Sequence, residues 1–501
     1  MAQVSDAAAA ALPADGTGPQ QSALRRNAVG LTGAVIMSAA VMGPAVSTFF
    51  NPQFSTPFSG FATPLVYLLT VIAMLITATG VMEMARALPS AGAFYTYVTR
   101  GFGAKAGFLT GALIFVAYAL LPPAEIGLIG SFLQNTFNEQ FSTNIPWWII
   151  GLVPALVMTF LAFEGITSSL KTALVLFSIE VFIVMLMAII VVIHGGDSGL
   201  NLHPFNPSSS PHGFSGLVDG AIFAALSFVG FEAAASLGEE VREPRKRIPK
   251  AIIGSILLVG GIYVFCIWSE SIGLGQTATN ALTGESLPWN ELAARYASWM
   301  EWPVIVASVS SMFAVMVASN NGIVRILHAM GREGLLPSMF AHIDPKRKTP
   351  TYAVLFQGVF AVGLAFIVGA VAGGLGDPAA GSSVYGYLGF LLTLGVLLVY
   401  ILTNAAAVRF FSERGDFNLL RHGILPGAGA LLMVGLTIGQ IVEQEVAPYT
   451  WFPYVIIGWV VLAVLATFWL GAYRPKQLET AGAALGGIDD AEENPDLALG
   501  V

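Results

Sequence analysis

Long segments without charged residues alternate with short polar segments along the chain. Residues 27–82, 349–376, 378–408, 422–442 and 446–473 contain no Asp, Glu, Lys or Arg. A helix of about 20 apolar residues crosses a bilayer, so each segment is long enough for one membrane span and the first is long enough for two. The segments lack the alternation, over about 10 residues, that is typical of barrel strands. Because backbone amides in lipid must bond within their own segment, the pattern predicts an all-α membrane protein.

The same pattern predicts twelve transmembrane helices. We place them at residues 30–50, 60–84, 104–135, 145–164, 169–194, 215–236, 249–270, 301–329, 351–373, 383–409, 426–444 and 451–473. With the N-terminus in the cytoplasm, this count puts every Lys and Arg except Arg295 inside or at an inner helix end. The positive-inside rule requires such a distribution, so both termini are expected in the cytoplasm.

Composition and charge agree with a membrane protein and exclude several other classes. Hydrophobic residues make up 55% of the 501 residues and charged residues 10%, and the mean hydropathy is +0.74. Soluble domains carry about 25% charged residues, so a soluble enzyme and a disordered scaffold are excluded. The net charge of -8 argues against nucleic acid as a partner. Cys266 is the single cysteine, which excludes a disulfide framework, and we expect no metal site.

Two of the predicted helices are interrupted in the middle of the membrane. Gly43-Pro44 lies inside span 1, where proline removes a backbone donor and clashes with the preceding turn. Gly230 interrupts span 6 within residues 226–232. Freed backbone groups are tolerated in a membrane only beside a cavity or other protein. Interruptions in these two spans are typical of transporters built from two inverted repeats. The alternative is an ordinary proline kink and a packing glycine.

Inverted repeats of five helices each would divide the chain into consecutive segments. We expect a disordered cytoplasmic tail over residues 1–24, a first repeat (spans 1–5) over 25–194, an external loop over 195–214, a second repeat (spans 6–10) over 215–410, spans 11 and 12 over 411–475, and an acidic cytoplasmic tail over 476–501.

Three stretches of sequence resemble the amino acid–polyamine–organocation (APC) permeases, a family with the LeuT-like fold. They run from Met82 to Gly103, from Ser227 to Ile252 and from Asn320 to Pro337. The second stretch, SFVGFEAAASLGEEVREPRKRIPKAI, is specific in both wording and position. The resemblance implies a core of spans 1–5 and 6–10 with two peripheral helices. It also implies a central small-molecule site between the breaks of spans 1 and 6.

The resemblance further implies which residues bind a substrate. In the family, the substrate carboxylate meets N–H groups at the span 1 break, and its amine meets carbonyls of the unwound segments. With an aromatic gate and two side chains of span 3, the candidate residues are Ser38, Ala39, Ala40, Met42, Gly43, Ala45, Tyr118, Glu125, Ser227, Phe228, Gly230 and Phe231. Pro44 lacks an N–H, which makes the carboxylate cradle poorer and favours an amine or an unusual amino acid.

Three acids lie well inside predicted spans, where ionisable groups are costly and are functional hypotheses by default. Glu125 follows Pro122-Pro123, which we expect to disturb span 3; it binds substrate or a proton, or lies protonated nearer the outer surface. Glu180 stands in span 5 where, by the resemblance, several family members carry a lysine in place of a sodium ion. It takes up a proton or a cation, or pairs with a neighbouring helix. Glu232 carries a proton, or accepts hydrogen bonds from the unwound backbone.

The expected coupling ion is H+, with Na+ as the alternative, because the spans carry acids but no base at comparable depth. Hydroxyl groups of span 8 supply further oxygen ligands beside Glu180. The candidate coupling residues are Glu180, Glu232, Ser310 and Ser311. No other cofactor is expected.

These features predict a secondary transporter that imports an amino acid across the plasma (inner) membrane by alternating access. Within the class, the alternative is a carrier or exchanger of amines or polyamines. A non-transporting nutrient sensor is the alternative from a different class. The sequence contains no phosphate-binding loop and no nucleophile motif, so we expect neither an ATP-driven pump nor an enzyme. The small-molecule substrate and the lipid bilayer are the expected partners, and the sequence leaves the oligomeric state open.

Overall fold

The structure is helical almost throughout the part of the chain that it describes. The computed structural model describes residues 29–89, 92–165, 170–237, 241–284, 287–332, 334, 336–347, 349–415, 417–442, 447–473 and 475. Within these ranges, the pairing of extended backbone is limited to one parallel bridge between Val29 and Val241. The predicted tails, 1–24 and 476–501, lie outside the described residues. So do some of the basic residues used to orient the chain, namely Arg25, Arg26, Lys348, Arg474 and Lys476.

The α-helices differ in length from single turns to more than 30 residues. They are α1 (Leu31–Val41), α2 (Pro44–Phe49), α3 (Asn51–Ser59), α4 (Thr63–Ala87), α5 (Ala93–Phe102), α6 (Ala104–Phe141), α7 (Trp147–Phe163), α8 (Leu170–His194), α9 (Gly213–Leu226), α10 (Pro244–Leu274), α11 (Gln276–Asn280), α12 (Pro288–Tyr296), α13 (Glu301–Arg332), α14 (Thr351–Ala372), α15 (Pro378–Ser412), α16 (Leu425–Val442) and α17 (Phe452–Tyr473). A 3-10 helix, Phe231–Leu237, follows α9, and a π-helix, Leu419–Ile424, precedes α16.

Ten helical segments of the described chain are long and apolar enough to cross a membrane. They are Pro44–Ala87, Ala104–Phe141, Leu174–His194, Gly213–Leu237, Pro244–Leu274, Ser298–Arg332, Thr351–Ala372, Pro378–Ser412, Leu419–Val442 and Tyr449–Tyr473. Two further apolar helices, α1 and α7, are shorter, with 11 and 17 residues. The all-helical membrane architecture is therefore confirmed, and ten segments meet the length of a span where the sequence predicted twelve.

The segment between predicted spans 1 and 2 is helical. Residues 51–59 form α3, and most of its side chains are buried in spite of their polarity. The hydroxyl of Ser55 donates to the Gly220 carbonyl at 2.8 Å, and the hydroxyl of Thr56 donates to the Pro52 carbonyl at 2.6 Å. These polar groups have hydrogen-bond partners inside the protein, so the segment can be buried. It packs against α9 and continues the first span.

The double proline does not disturb span 3, contrary to the expectation. The helix α6 continues without a break through Pro122 and Pro123. Proline at position 123 removes the N–H that would bond to the Ala119 carbonyl four residues earlier. The side-chain amide of Gln357 in α14 donates to this carbonyl at 3.2 Å. A neighbouring helix thus satisfies the freed group, which is how membrane helices accommodate proline.

The long helices pack around the short pieces α1 and α2. The pairs α6–α15, α4–α10 and α6–α13 make the most extensive helix contacts, and α1 and α2 lie against α8, α10 and α13. Most buried apolar side chains form one continuous core. The two interrupted segments are therefore held in the centre of the protein.

Basic side chains gather at one end of the helices, which we call the basic face. It carries Arg86, Lys105, Arg245, Lys246, Lys250, Arg409 and Arg421. Arg86, Arg245 and Arg421 line one cavity although they come from three different helical segments. At the other end, the opposite face, Arg295 of α12 forms ion pairs with Asp197 and Glu291.

Candidate functional site

The break in span 1 lies where the sequence predicted it. The helix α1 ends at Val41 and α2 begins at Pro44, with Gly43 between them in the left-handed region at φ 56°. A Cβ at Gly43 would lie 2.6 Å from methyl carbons of Val315 and Val46. Both the backbone angle and the close packing therefore require glycine here, and proline at the first position of α2 suits a helix start.

The break in span 6 faces the break in span 1. The helix α9 ends at Leu226, and the chain resumes as a 3-10 helix at Phe231. Gly230 adopts a φ of 113°, and a Cβ there would lie 2.6 Å from a methyl carbon of Val41. The second glycine thus allows the backbone of span 6 to approach the end of α1. The two interruptions meet at one point.

The hydroxyl of one tyrosine lies within hydrogen-bond distance of a freed carbonyl from each break, and its single proton is donated to one of them at a time. The hydroxyl of Tyr263 in α10 lies 2.8 Å from the Met42 carbonyl and 3.0 Å from the Ser227 carbonyl. The Ser47 hydroxyl also donates to the Met42 carbonyl, at 2.8 Å. Each carbonyl has two lone pairs, so these contacts hold the broken ends in place and leave acceptor capacity at Ser227.

Ser38 forms a second connection between the two segments. Its hydroxyl donates to the Phe231 carbonyl at 3.1 Å and accepts the backbone N–H of Ala234 at 2.8 Å. A fully buried serine of α1 therefore replaces the helical partners that the 3-10 segment lacks.

A network of side chains extends from Ser227 toward α3 and α15. The side-chain amide of Asn51 donates to the Ser227 hydroxyl at 2.7 Å, and the Tyr67 hydroxyl lies 3.2 Å from the same oxygen. The Tyr385 hydroxyl donates to the Asn51 amide oxygen at 2.6 Å. These contacts join four helical segments around a residue that the sequence placed at the site.

Glu180 of α8 lies at the beginning of α2. The side chain is 4% exposed, and its carboxyl group lies near the Ser311 hydroxyl and the backbone N–H of Ala45. Ser311 in turn accepts the backbone N–H of Val46 at 3.2 Å. The first N–H groups of a helix have no partner within the helix. The Ser311 hydroxyl satisfies one of them, and the Glu180 carboxyl lies near another.

Glu232 accepts three hydrogen bonds at the span 6 break. The backbone N–H of Gly230 donates to one carboxyl oxygen at 3.0 Å, and the Tyr400 hydroxyl donates to the same oxygen at 3.1 Å. The Tyr118 hydroxyl donates to the other oxygen at 2.7 Å. This is the geometry of an acceptor that holds unwound backbone, the second of the two interpretations of this residue.

Two further buried acids lie near the breaks. Glu125 is 1% exposed, and within the described residues its Oε2 atom has no hydrogen-bond partner, although the side chain is close enough to Tyr385 to interact with it electrostatically. Glu270 is 2% exposed and accepts the Gln53 side-chain amide at 3.3 Å. The sequence placed Glu270 at the edge of a span, whereas the structure buries it between α10 and α3.

Most candidate substrate residues lie in the two interrupted segments and are buried there. The buried candidates in the two interrupted segments are Ser38, Ala39, Met42, Gly43, Ala45, Ser227, Phe228, Gly230 and Phe231. Phe228 packs edge-on against Tyr263 with 5.3 Å between ring centroids, and Phe231 packs against Tyr400 with 5.2 Å. Ala40 and Ser310 are half-buried. The role of each residue stays a prediction.

Aromatic side chains fill the space between the junction and the opposite face. Phe49 packs against Trp289 with 5.0 Å between ring centroids, and Phe50 packs against Phe132 with 5.1 Å. The cavity that remains beside them has a volume of about 10 Å³, close to the minimum for one water molecule. The aromatic side chains therefore leave little space for a solute beside Trp289.

Sequence reasoning missed the side chains that attach the breaks to neighbouring helices. They are Asn51, Gln53, Tyr67, Tyr263, Glu270, Tyr385 and Tyr400. A tyrosine in an apolar helix has the pattern of a packing residue, and its hydroxyl partner is distant in sequence, by 221 residues for Tyr263 and Met42. The position of these hydroxyl groups in the middle of predicted spans is the one feature of the sequence that could have indicated their role.

The fold and the site define a multi-pass membrane protein in which two broken helices meet at a buried polar centre, the architecture of a small-molecule transporter. Comparison with known families agrees: the family described as "Amino acid permease" matches residues 57–442. The chain belongs to this family, as the resemblance implied.

Curated relatives share moderate identity with the chain. "Cationic amino acid transporter 7, chloroplastic" of Arabidopsis thaliana is 27% identical over 323 residues, 60% of this chain and 53% of the relative. "Low-affinity putrescine importer PlaP" of Escherichia coli (strain K12) is 25% identical over 304 residues, 60% of this chain and 66% of the relative. "Branched-chain amino acid permease BcaP" of Bacillus subtilis (strain 168) is 24% identical over 394 residues, which are 74% of this chain and 79% of the relative.

The alignment thus spans about half the length of the plant relative and just under two thirds of the putrescine importer. The matched family is one of permeases, and these relatives are named as transporters, an importer and a permease.

Proposed function

We propose that the protein is a secondary transporter that imports an amino acid across the plasma membrane by alternating access, coupled to protons. The observation that carries the proposal is the junction of the two broken helices. Peptide groups outside a helix offer N–H and C=O dipoles to a small polar solute. At this junction they lie at Gly43 and at residues 227–230, buried among long apolar helices. Relatives named as amino acid permeases support the substrate class.

The proposed architecture has twelve spans. Taking α1 to α3 as span 1, α4 as span 2 and α7 as span 4 gives two spans beyond the ten long segments. Spans 1–5 and 6–10 then form two inverted repeats of the LeuT-like fold, with α16 and α17 as peripheral helices. The two breaks, which stand five spans apart, support this division. Both termini then lie in the cytoplasm, on the basic face.

We place the substrate at the junction and keep the full set of candidate residues. They are Ser38, Ala39, Ala40, Met42, Gly43, Ala45, Tyr118, Glu125, Ser227, Phe228, Gly230 and Phe231. The closed aromatic layer toward the opposite face supports an alternating mechanism, because a carrier must seal one side of its site while the other side is accessible.

Glu180 is our candidate for the proton site, with Ser310 and Ser311 beside it and Glu232 as a second candidate. Its contacts connect α8 to the first N–H groups of α2. A carboxylate is attracted by a helix N-terminus, whereas a neutral carboxylic acid is not. Protonation therefore weakens the attachment of α2 to α8 and permits α2 to move. Sodium is the alternative ion, held by the same oxygen atoms.

An amine or polyamine is the second candidate substrate. Glu125 is a buried acid with an unpartnered oxygen in the described chain, and a cationic group is its natural partner. Pro44 contributes no N–H to a carboxylate cradle. One relative is named as a putrescine importer. A protein that exchanges an amino acid for an amine would bind both kinds of substrate.

The test is transport by the purified full-length protein in liposomes. A panel of radiolabelled amino acids and amines is offered with a pH gradient, with a sodium gradient, and with neither. The proposal expects accumulation of an unmodified amino acid that depends on the pH gradient. Accumulation of amines alone favours the second candidate substrate. Accumulation that depends on the sodium gradient would identify sodium, and not the proton, as the coupling ion. Substrate binding without flux contradicts transport and favours a sensor.

A further inference from the structure

A cavity of about 570 Å³ lies on the basic face, apart from the broken helices. Its walls come from the end of α4, the beginning of α10 and the junction of the π-helix with α16. Thus α1, α2, α9 and α13 contribute no lining residue, and the cavity is separate from the proposed substrate site.

The cavity is strongly positive. The basic residues that line it are Arg86, Arg245, Lys246, Lys250 and Arg421. Among the lining residues that the structure describes, Glu83 is the one acid, and it pairs with Arg86 at 3.2 Å and with His422 at 3.6 Å. Within the described part of the chain, no carboxylate lies within 4.0 Å of the charged groups of Lys246, Lys250 or Arg421. These cations are available to an external anion.

One wall of the same cavity is apolar. Met82, Pro249, Ile253 and Leu425 line it beside the basic residues. Ile253 is 38% exposed, and Leu257, one turn farther along the same face of α10, is 53% exposed. The surface therefore changes from basic to apolar along α10 as the helix enters the membrane.

We propose that this cavity binds an anionic phospholipid, with the phosphate among the basic residues and an acyl chain along Ile253 and Leu257. Phosphate oxygens accept several charge-assisted hydrogen bonds from Arg and Lys. Basic pockets between transmembrane helices at the cytoplasmic surface recognise lipid headgroups of this charge. A free phosphate would use the basic residues and leave the adjoining apolar wall in contact with water. The assignment to the inner leaflet rests on the proposed orientation.

A lipid at this position would contact two core spans and one peripheral helix. The helices α4 and α10 belong to spans 2 and 7, which pack closely against each other and beside the broken segments. The helix α16 is peripheral. We therefore expect an anionic lipid to stabilise the contact between these helices.

The experiment measures lipid retention by native mass spectrometry of the full-length protein. Phosphatidylglycerol is compared with phosphatidylcholine carrying the same acyl chains. The variant Lys246→Gln/Lys250→Gln is compared with Lys105→Gln/Lys346→Gln, which removes the same charge from two residues that do not line the cavity, one on the basic face and one in the exposed loop before α14. Each surface cation contributes about fivefold to anionic lipid binding, so the first variant, which removes two cations, is expected to retain phosphatidylglycerol about 25-fold less. The second variant should match the wild type.

Three outcomes would overturn the proposal. The wild-type protein could retain both lipids equally, or both double variants could lose phosphatidylglycerol to the same extent. Inorganic phosphate could displace phosphatidylglycerol from the protein in the cavity, which would identify a site for free phosphate. If the first variant does not fold, as judged by size-exclusion chromatography, the single variant Arg421→Gln replaces it, with an expected loss of about fivefold.

Discussion

At the scale of single residues, two glycines and a few hydroxyl groups determine where backbone polar groups leave the helices. Gly43 and Gly230 adopt positive φ values at the breaks, and both lie against valine side chains that leave no room for a Cβ. Tyr263 and Ser311 bond to the groups that the breaks free. The sequence revealed the first glycine through its proline neighbour. It could not reveal the hydroxyl partners, because these come from distant helices.

Replacing Gly43 with alanine should weaken substrate binding while the protein still inserts and folds. An L-residue in the left-handed region costs about 1–2 kcal/mol, and the added Cβ would lie 2.6 Å from two valine methyl groups. We expect a loss of about tenfold in affinity, measured by radioligand binding to purified protein. Gly363→Ala is the control, since a Cβ there meets no atom within 4 Å. Unchanged affinity in Gly43→Ala would refute the position of the site.

Replacing Glu180 with glutamine should abolish the pH dependence of uptake. The amide keeps the size and the oxygen acceptor of the carboxyl group beside Ala45, but the side chain can no longer exchange a proton. Uptake at several external pH values, at fixed substrate concentration, measures the effect. Glu139→Gln, an exposed acid near the end of α6, should keep the wild-type profile. A pH profile in Glu180→Gln that equals the wild type would exclude this residue as the proton site.

At the scale of elements, the structure depends on contacts that replace missing helical hydrogen bonds. The helix α6 stays continuous through two prolines because Gln357 of α14 bonds to the Ala119 carbonyl. The polar segment α3 is buried because its hydroxyl groups bond to nearby carbonyls. Local sequence predicts a disturbance in the first case and a connecting segment in the second. Both predictions fail because the compensating partners belong to other elements.

Removing the Tyr263 hydroxyl should destabilise the junction of the two breaks. Tyr263→Phe leaves the Ser227 carbonyl without this donor, while the Met42 carbonyl keeps the Ser47 hydroxyl. An unpaired buried acceptor costs about 1–3 kcal/mol. We expect a lower midpoint of thermal unfolding and a higher KM for transport. Tyr454→Phe is the matched control, because Tyr454 is 67% exposed. Equal midpoints for the two variants would show that the hydroxyl does not hold the junction.

At the scale of the whole molecule, charge and aromatic packing distinguish the two ends. Basic residues from several helices gather at one end, and Arg295 with its acidic partners lies at the other. The aromatic pairs Phe49–Trp289 and Phe50–Phe132 close the second end. The chain therefore has the asymmetry that a carrier closed on one side requires.

The proposed orientation can be checked by cysteine labelling in intact cells. Leu200 lies on the opposite face and is 63% exposed. A cysteine at this position, in the variant Leu200→Cys, should therefore react with an impermeant maleimide added outside. Lys346→Cys, in the exposed loop before α14, should react only after the membrane is permeabilised. The native Cys266 is buried and serves as the unlabelled background. The reverse pattern would invert the proposed topology.

By itself, the sequence determined the membrane class, the approximate ends of the long helices and the position of the break at Gly43-Pro44. These properties depend on local hydrophobicity and on the backbone geometry of glycine and proline. Both are determined by residues that are adjacent in the sequence. Only the tertiary structure decided which side chains meet at the breaks, that Glu232 accepts hydrogen bonds from two tyrosines, and that Glu270 is buried. Such contacts join residues more than 100 positions apart, and no local pattern encodes them.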